Sequence, residues 1–168
     1  MTASETLTAL EIAKVACDIE ADGIAFYRAA ADTVLPEAVQ ALFRDLAQQE
    51  AEHLSTFRQI YKQLDERMGG AESTVEFLFD DDITGYLRSI SQGNVFPEDV
   101  DADALLSGQP SVRDVLDFAL GAEKKSILLY SEIVSHNAFA YSEEILSRII
   151  KEEKVHIVRL TRQLDDLD

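Results

Sequence analysis

Glu50-Ala51-Glu52-His53 and Glu153-Lys154-Val155-His156 decide the reading of this chain, because each Glu-x-x-His turn follows a lone glutamate, Glu20 or Glu123, at the same distance. Subtracting 20 from 123, 50 from 153 and 53 from 156 gives 103 every time. Two tyrosines obey the same offset, since Tyr27 and Tyr130 each lie seven residues after the lone glutamate. The chain therefore repeats its own chemistry once. Four glutamates and two histidines in a duplicated frame make a two-metal site the leading expectation.

The neighbours of each glutamate carry the argument further. On a helix, residues three, four and seven positions away share a face. Around Glu20 these are Ala13, Ala16, Cys17, Gly23, Ile24 and Tyr27, and around Glu123 they are Leu116, Ala119, Leu120, Ser126, Ile127 and Tyr130, with no charge in either set. Around Glu50 and Glu153 the same positions are apolar except for His53 and His156. An ionised carboxylate in the middle of an apolar stripe costs several kcal/mol unless it is paired, or it takes up a proton. A positive partner is required, and no Lys or Arg shares those faces.

Composition fits one compact domain over residues 1–168, a length at which roughly 70% of the unfolded chain's surface is buried. With 32 acidic against 15 basic residues the formal charge is −17, which argues against nucleic acid or an anionic membrane surface as a partner. Cys17 is the single cysteine, so an intramolecular disulfide is excluded and there is no Cys-x-x-Cys pair to hold iron or zinc through sulfur. No apolar run reaches membrane-spanning length and no basic-then-apolar leader opens the sequence, so a cytoplasmic protein is expected.

Periodicity predicts four long helices. The first runs from about Ser4 to Thr33, with Thr2-x-x-Glu5 as its capping box, and stops before Pro36. The second starts at Pro36, carries Glu50 and His53, and ends at Gly69-Gly70. The third begins after Pro110 with Ser111-x-x-Asp114 as its cap and runs to about Asn137, and the fourth spans roughly Ser142 to Leu167. Short connections at 34–36 and 138–141 make two antiparallel hairpins, 4–68 and 111–167. The crossover at 69–110 is too long to be structureless. It is predicted to hold an amphipathic helix over Asp81 to Ser91, and a turn or two over Asp101 to Leu106. The fold class is thus all-α, a four-helix bundle of two hairpins joined by a long, partly helical crossover, and that crossover could also shield a partner surface.

Carboxylate oxygens and imidazole nitrogens without thiolates suit two iron ions, with manganese or, less distinctively, zinc as alternatives. One glutamate from each of two helices plus Glu-x-x-His from each of the other two is the di-iron carboxylate pattern of helix bundles. On this pattern Glu50 and Glu153 are bridging ligands, Glu20 and Glu123 are terminal carboxylates, and His53 and His156 give one nitrogen to each metal.

With these residues in place the chain resembles the rubrerythrin-like branch of the ferritin-like superfamily. The resemblance covers both hairpins through Glu20-x6-Tyr27, Glu50-x-x-His53, Glu123-x6-Tyr130 and Glu153-x-x-His156. It implies a helical bundle with a non-haem di-iron centre that reacts with hydrogen peroxide or oxygen. There are two departures from the family pattern. Rubrerythrins proper carry a C-terminal rubredoxin domain with four cysteines; this sequence ends at Asp168 without one, so a separate electron-donor protein is expected. They also carry an extra glutamate one turn after the third-helix ligand, the residue of their redox-linked ligand exchange, where this chain has Ser126. Symmetric sites of four Glu and two His also occur in ferroxidases such as the bacterioferritins. A homodimer or higher homo-oligomer is expected.

Tyr27 and Tyr130, about 10 Å along the axis from their glutamates, lean back toward the metal level, where their hydroxyls could hydrogen-bond ligand carboxylates. Cys17 reads as a small core hydrophobe, His136 as an exposed residue near a helix end, and Asp80-Asp81-Asp82 as a helix cap. Three functions are compatible with the sequence: an oxidoreductase using peroxide or oxygen, a ferroxidase or iron-handling protein whose substrate is ferrous iron, and a bundle with a purely structural metal pair. Open positions facing a cavity would favour the first two.

Overall fold

The structure, a computed structural model, describes residues 8–33, 35–68, 102–136 and 142–167. Five helices are present among them: α1 (Ala9–Ala31), α2 (Glu37–Met68), α3 (Ala102–Ser107), α4 (Val112–Ser135) and α5 (Glu143–Asp165). The four long ones pack as two hairpins, α1 against α2 and α4 against α5.

The first helix starts later than its periodicity predicts. Its cap is Thr8, whose hydroxyl accepts the Glu11 amide at 3.2 Å while Glu11 Oε2 accepts the Thr8 amide at 2.8 Å. A cap stabilises most when it stands directly before the buried stripe, and here Ala9, Ile12 and Ala13 follow at once. The expected Thr2-x-x-Glu5 cap lies outside the described residues. The predicted Ser111 and Asp114 cap opens α4 with the same reciprocal pair of bonds. Both boxes obey the internal offset, since 111 minus 8 and 114 minus 11 are again 103.

Pro36 precedes α2, where its missing N–H costs nothing, and its carbonyl accepts the amides of Val39 and Gln40. Helix α2 runs to Met68, and the stop expected at Gly69-Gly70 lies outside the described residues. Helix α4 ends at Ser135 rather than Asn137. His136 caps it, half-buried rather than exposed, with Nδ1 3.0 Å from the Glu132 carbonyl oxygen and 2.9 Å from Ser135 Oγ. The turn or two expected over Asp101 to Leu106 is helix α3; the helix predicted over Asp81 to Ser91 and the acidic run at 80–82 lie outside the described residues.

Among the described residues the core has two apolar clusters, each drawing on all four long helices. One gathers Ile12, Ala16 and Ile19 of α1 with Phe57 and Ile60, Leu129 and Ile133, and Leu146 and Ile149. The other gathers Phe26 and Ala30 with Phe43 and Leu46, Leu116 and Phe118, and Leu160 and Leu164, and Leu105 and Leu106 of α3 pack on it. Along every long helix the chain passes from one cluster to the other at a predicted ligand: after Ile19, after Ala47, after Leu120 and after Ile149. A polar layer therefore lies between two dry ones. Cys17 is half-buried against the first cluster, and burial pushes its thiol up, in keeping with a packing role.

Candidate metal centre

Glu20, Glu50, His53, Glu123, Glu153 and His156 form that layer, and none is more than 4% exposed. Each stands near mid-helix on an apolar stripe, so packing of the stripes drives all six inward. Their donor atoms fall into two groups, each within 4.8 Å: Glu20, Glu50, His53 and Glu153 in one, and Glu50, Glu123, Glu153 and His156 in the other. Glu50 and Glu153 belong to both groups. The two imidazoles are stacked, with ring centroids 5.8 Å apart.

The donors point at shared points rather than at one another. His156 Nδ1 is 2.9 Å from Glu153 Oε2, 3.1 Å from Glu50 Oε1 and 3.4 Å from Glu123 Oε1, yet none of these contacts is aligned as a hydrogen bond. Glu50 Oε1 and both Glu153 oxygens are likewise buried without a hydrogen-bond partner. Buried polar atoms are nearly always paired. Four orphaned donors in one layer fit a group that accepts lone pairs from several directions, and two metal cations do so. His53 Nδ1 faces its own group, hydrogen-bonded to Glu50 Oε2 at 3.3 Å and 3.0 Å from Glu153 Oε1.

Without metal the layer balances its own charge. Burial, then the Glu50 charge, pushes the Glu20 carboxyl well above its usual range, and burial, then the Glu153 charge, does the same to Glu123. Burial works against charge on the histidines, but the surrounding carboxylates outweigh it, so His156 is pushed up to about 12 and His53 is also strongly raised. The same imidazoles, with Glu20 for Glu50 and Glu123 for Glu153, hold the two central carboxyls below their usual value against burial. Two imidazolium ions thus offset two carboxylates, with protons on the outer pair. Two divalent cations can replace four protons, one from each imidazolium and one from each outer carboxyl, without changing the net charge of the layer.

The tyrosines clasp the hairpins crosswise. Tyr27 on α1 donates to Glu123 on α4, and Tyr130 on α4 donates to Glu20 on α1. Both rings are buried, Tyr27 beside Phe43 and Tyr130 beside Phe57. Burial first, and then the neighbouring glutamate, raises each phenol well above its usual value, so both remain donors. The backward lean of the tyrosines is as the sequence predicts; each hydroxyl meets the carboxylate of the opposite hairpin.

Residues 11–91 match the family model described as rubrerythrin, a span that takes in Glu20, Glu50 and His53. Over that span the chain is similar to rubrerythrins. Its fold is that of a Thermotoga maritima protein whose crystal structure is described as ferritin-like and diiron-carboxylate, with a TM-score of 0.72, 24% identity, and coverage of 98% of this chain and 99% of that one. No curated protein matches it.

A small cavity of about 20 Å³ adjoins the six residues, lined among others by Glu20, Gly23, Glu50, Glu123 and Ser126. Gly23 and Ser126 are themselves 103 residues apart, and together they leave the α1–α4 side of the layer lightly filled. A Cβ on Gly23 would come within 3.6 Å of Glu50 Cγ. Ser126 spends its hydroxyl on the Ala122 carbonyl at 3.2 Å. Two polar residues that the sequence reading passed over stand behind the histidines: Glu152 Oε2 is 2.9 Å from His53 Nε2, and Gln49 Oε1 is 3.1 Å from His156 Nε2. The offset of 103 also relates 49 to 152 and is the signal that could have found them. Among the described residues no helix is long and apolar enough to cross a membrane.

Proposed function

We propose that the chain is a non-haem di-iron oxidoreductase that reacts with hydrogen peroxide or oxygen. Glu20, Glu50, His53 and Glu153 would hold one iron, and Glu50, Glu123, Glu153 and His156 the other, with Glu50 and Glu153 bridging. Two ferrous ions would supply the two electrons that reduce the oxidant, and an external donor protein would restore them. The residues hold the reactants in place. Tyr27 and Tyr130 fix the outer carboxylates through donors that stay protonated, the central carboxylates keep their charge, and the apolar clusters above and below exclude bulk water.

The observation that carries this reading is the cavity between Gly23 and Ser126, at about 20 Å³ large enough for one water-sized molecule against the ligand carboxylates. A purely structural metal pair has no need of such a space. Stopped-flow mixing of the diferrous protein with peroxide and with oxygen tests it. Rapid oxidation by at least one of them is expected; slow reaction with both would favour the structural role.

A second reading, ferroxidase, draws support from Ser126. Its hydroxyl is turned to the helix backbone, so it offers no extra ligand on that side, and the near-symmetric ligand set matches a centre whose substrate is ferrous iron. Oxidation of many more than two ferrous ions per chain without an electron donor would select this reading.

A further inference from the structure

The duplicated halves of the site agree in every ligand and differ in what stands behind the histidines. His53 Nε2 donates to a carboxylate, Glu152 Oε2, at 2.9 Å, whereas His156 Nε2 donates to a neutral amide oxygen, Gln49 Oε1, at 3.1 Å. The orientation of the amide is fixed from outside. Gln49 Nε2 donates to Asp45 Oδ2 at 2.7 Å, and the same oxygen is 2.6 Å from Arg159 Nη2, so Oε1 is left facing the imidazole. At the position equivalent to Asp45 stands Arg148, with Nε 3.8 Å from Glu152 Oε1.

We propose that Glu152 and Gln49 make the two metal positions unequal: the His53 position retains its ion, while the His156 position binds more weakly and exchanges first. This inference rests on the two-metal reading above. Each group of four donors contains three glutamates and one histidine, two of the glutamates being shared, so the ligands themselves give no reason for a difference. The inequality comes from behind the rings. A carboxylate that accepts the outer N–H of a ligating imidazole raises electron density at the ligating nitrogen and fixes the ring, and loss of such a partner typically lowers metal affinity about 10- to 100-fold. A charge-assisted hydrogen bond is about twice as strong as a neutral one. Arg148 subtracts little from this effect, because its contact with Glu152 is long and its side chain is 66% exposed to screening solvent. Asp45 adds little on the other side, because it reaches His156 only through the amide and is paired with Arg159.

The test is titration of the metal-free full-length chain with cobalt(II), followed by calorimetry and by the paramagnetically shifted Nε2–H resonances of His53 and His156. Wild type is expected to bind two ions, the His53 signal shifting first, with step affinities at least about 10-fold apart. Glu152→Gln should bring the two steps together. Gln49→Glu should tighten the second step, and the double swap, which preserves overall composition, should separate the steps again with the His156 signal shifting first. A purely structural role for either residue would not reverse the order of filling. Two bound ions with an unchanged ratio in Glu152→Gln, or an unchanged order in the double swap, would overturn the inference and leave the two-metal reading standing. Fewer than two ions in wild type would overturn both.

Discussion

Replacing Tyr130 with phenylalanine removes one buried oxygen and nothing else. The ring keeps its place against Phe57, with centroids 4.9 Å apart, so no cavity of consequence opens. What is lost is the hydroxyl that donates to Glu20 Oε1, in a layer where Glu20 is 2% exposed. A buried acceptor deprived of its donor costs about 1–3 kcal/mol, and a chain of this length shifts by roughly 2–4 °C per kcal/mol, so the metal-free variant should melt about 2–12 °C below wild type. Tyr27→Phe should lose a similar amount through Glu123. Differential scanning calorimetry of the metal-free proteins measures the effect, with Tyr61→Phe, half-buried at the edge of the same cluster, as a control expected to shift little. A metal-free Tyr130→Phe that melts with wild type would refute the claim that the hydroxyl is a fixed partner of Glu20.

Four further outcomes are expected. Glu50→Ala or Glu153→Ala should lower iron content from two per chain to nearly none, because each carboxylate serves both ligand groups; elemental analysis still finding two would remove the bridging assignment. Chelation should lower the melting temperature by many degrees, since metal binds the folded layer and not the unfolded chain, and coincident melts with and without chelator would contradict this. Metal affinity should rise with pH: His156, pushed up to about 12, and His53, raised as well, are protonated at neutral pH without metal and must release those protons to bind it. The sign is therefore tighter binding as pH increases, by about tenfold per unit for each proton released, and calorimetry in buffers of different ionisation enthalpy should count at least two protons per chain. Finally, Ser126→Glu places a carboxylate one turn after Glu123 beside the cavity and should raise the peroxide rate more than the oxygen rate in stopped-flow; an unchanged ratio with two metals retained would separate that position from the choice of oxidant.

The ligand layer was legible because its signal is local and repeated. Each glutamate or histidine interrupts an apolar stripe on its own helix, and the offset of 103 ties the two halves together. The start of α1 was misread by trusting the first capping signature, Thr2-x-x-Glu5, when the same offset applied to Ser111 and Asp114 leads to Thr8 and Glu11. Gln49 and Glu152 were not legible from either helix alone. Each sits one residue before a ligand, turned about 100° from it around the axis, and reads as a solvent-facing polar residue until α2 and α5 are placed side by side. His136 was read as exposed because a polar residue at a helix end usually is; its bonds to the final turn bury it halfway.

The crossed tyrosine bonds give each hairpin the form of a plug and a socket at once. The first offers Tyr27 and receives Tyr130 on Glu20; the second offers Tyr130 and receives Tyr27 on Glu123. Because both carry the same pair at the same spacing, either hairpin is in principle complementary to a second copy of itself, the relation an isologous twofold interface requires. The single chain then preserves, in covalent form, the logic of a symmetric dimer of half-length units. Because the two halves lie in one chain they can differ, and Glu152 behind His53 where Gln49 stands behind His156 is a difference that identical subunits could not hold.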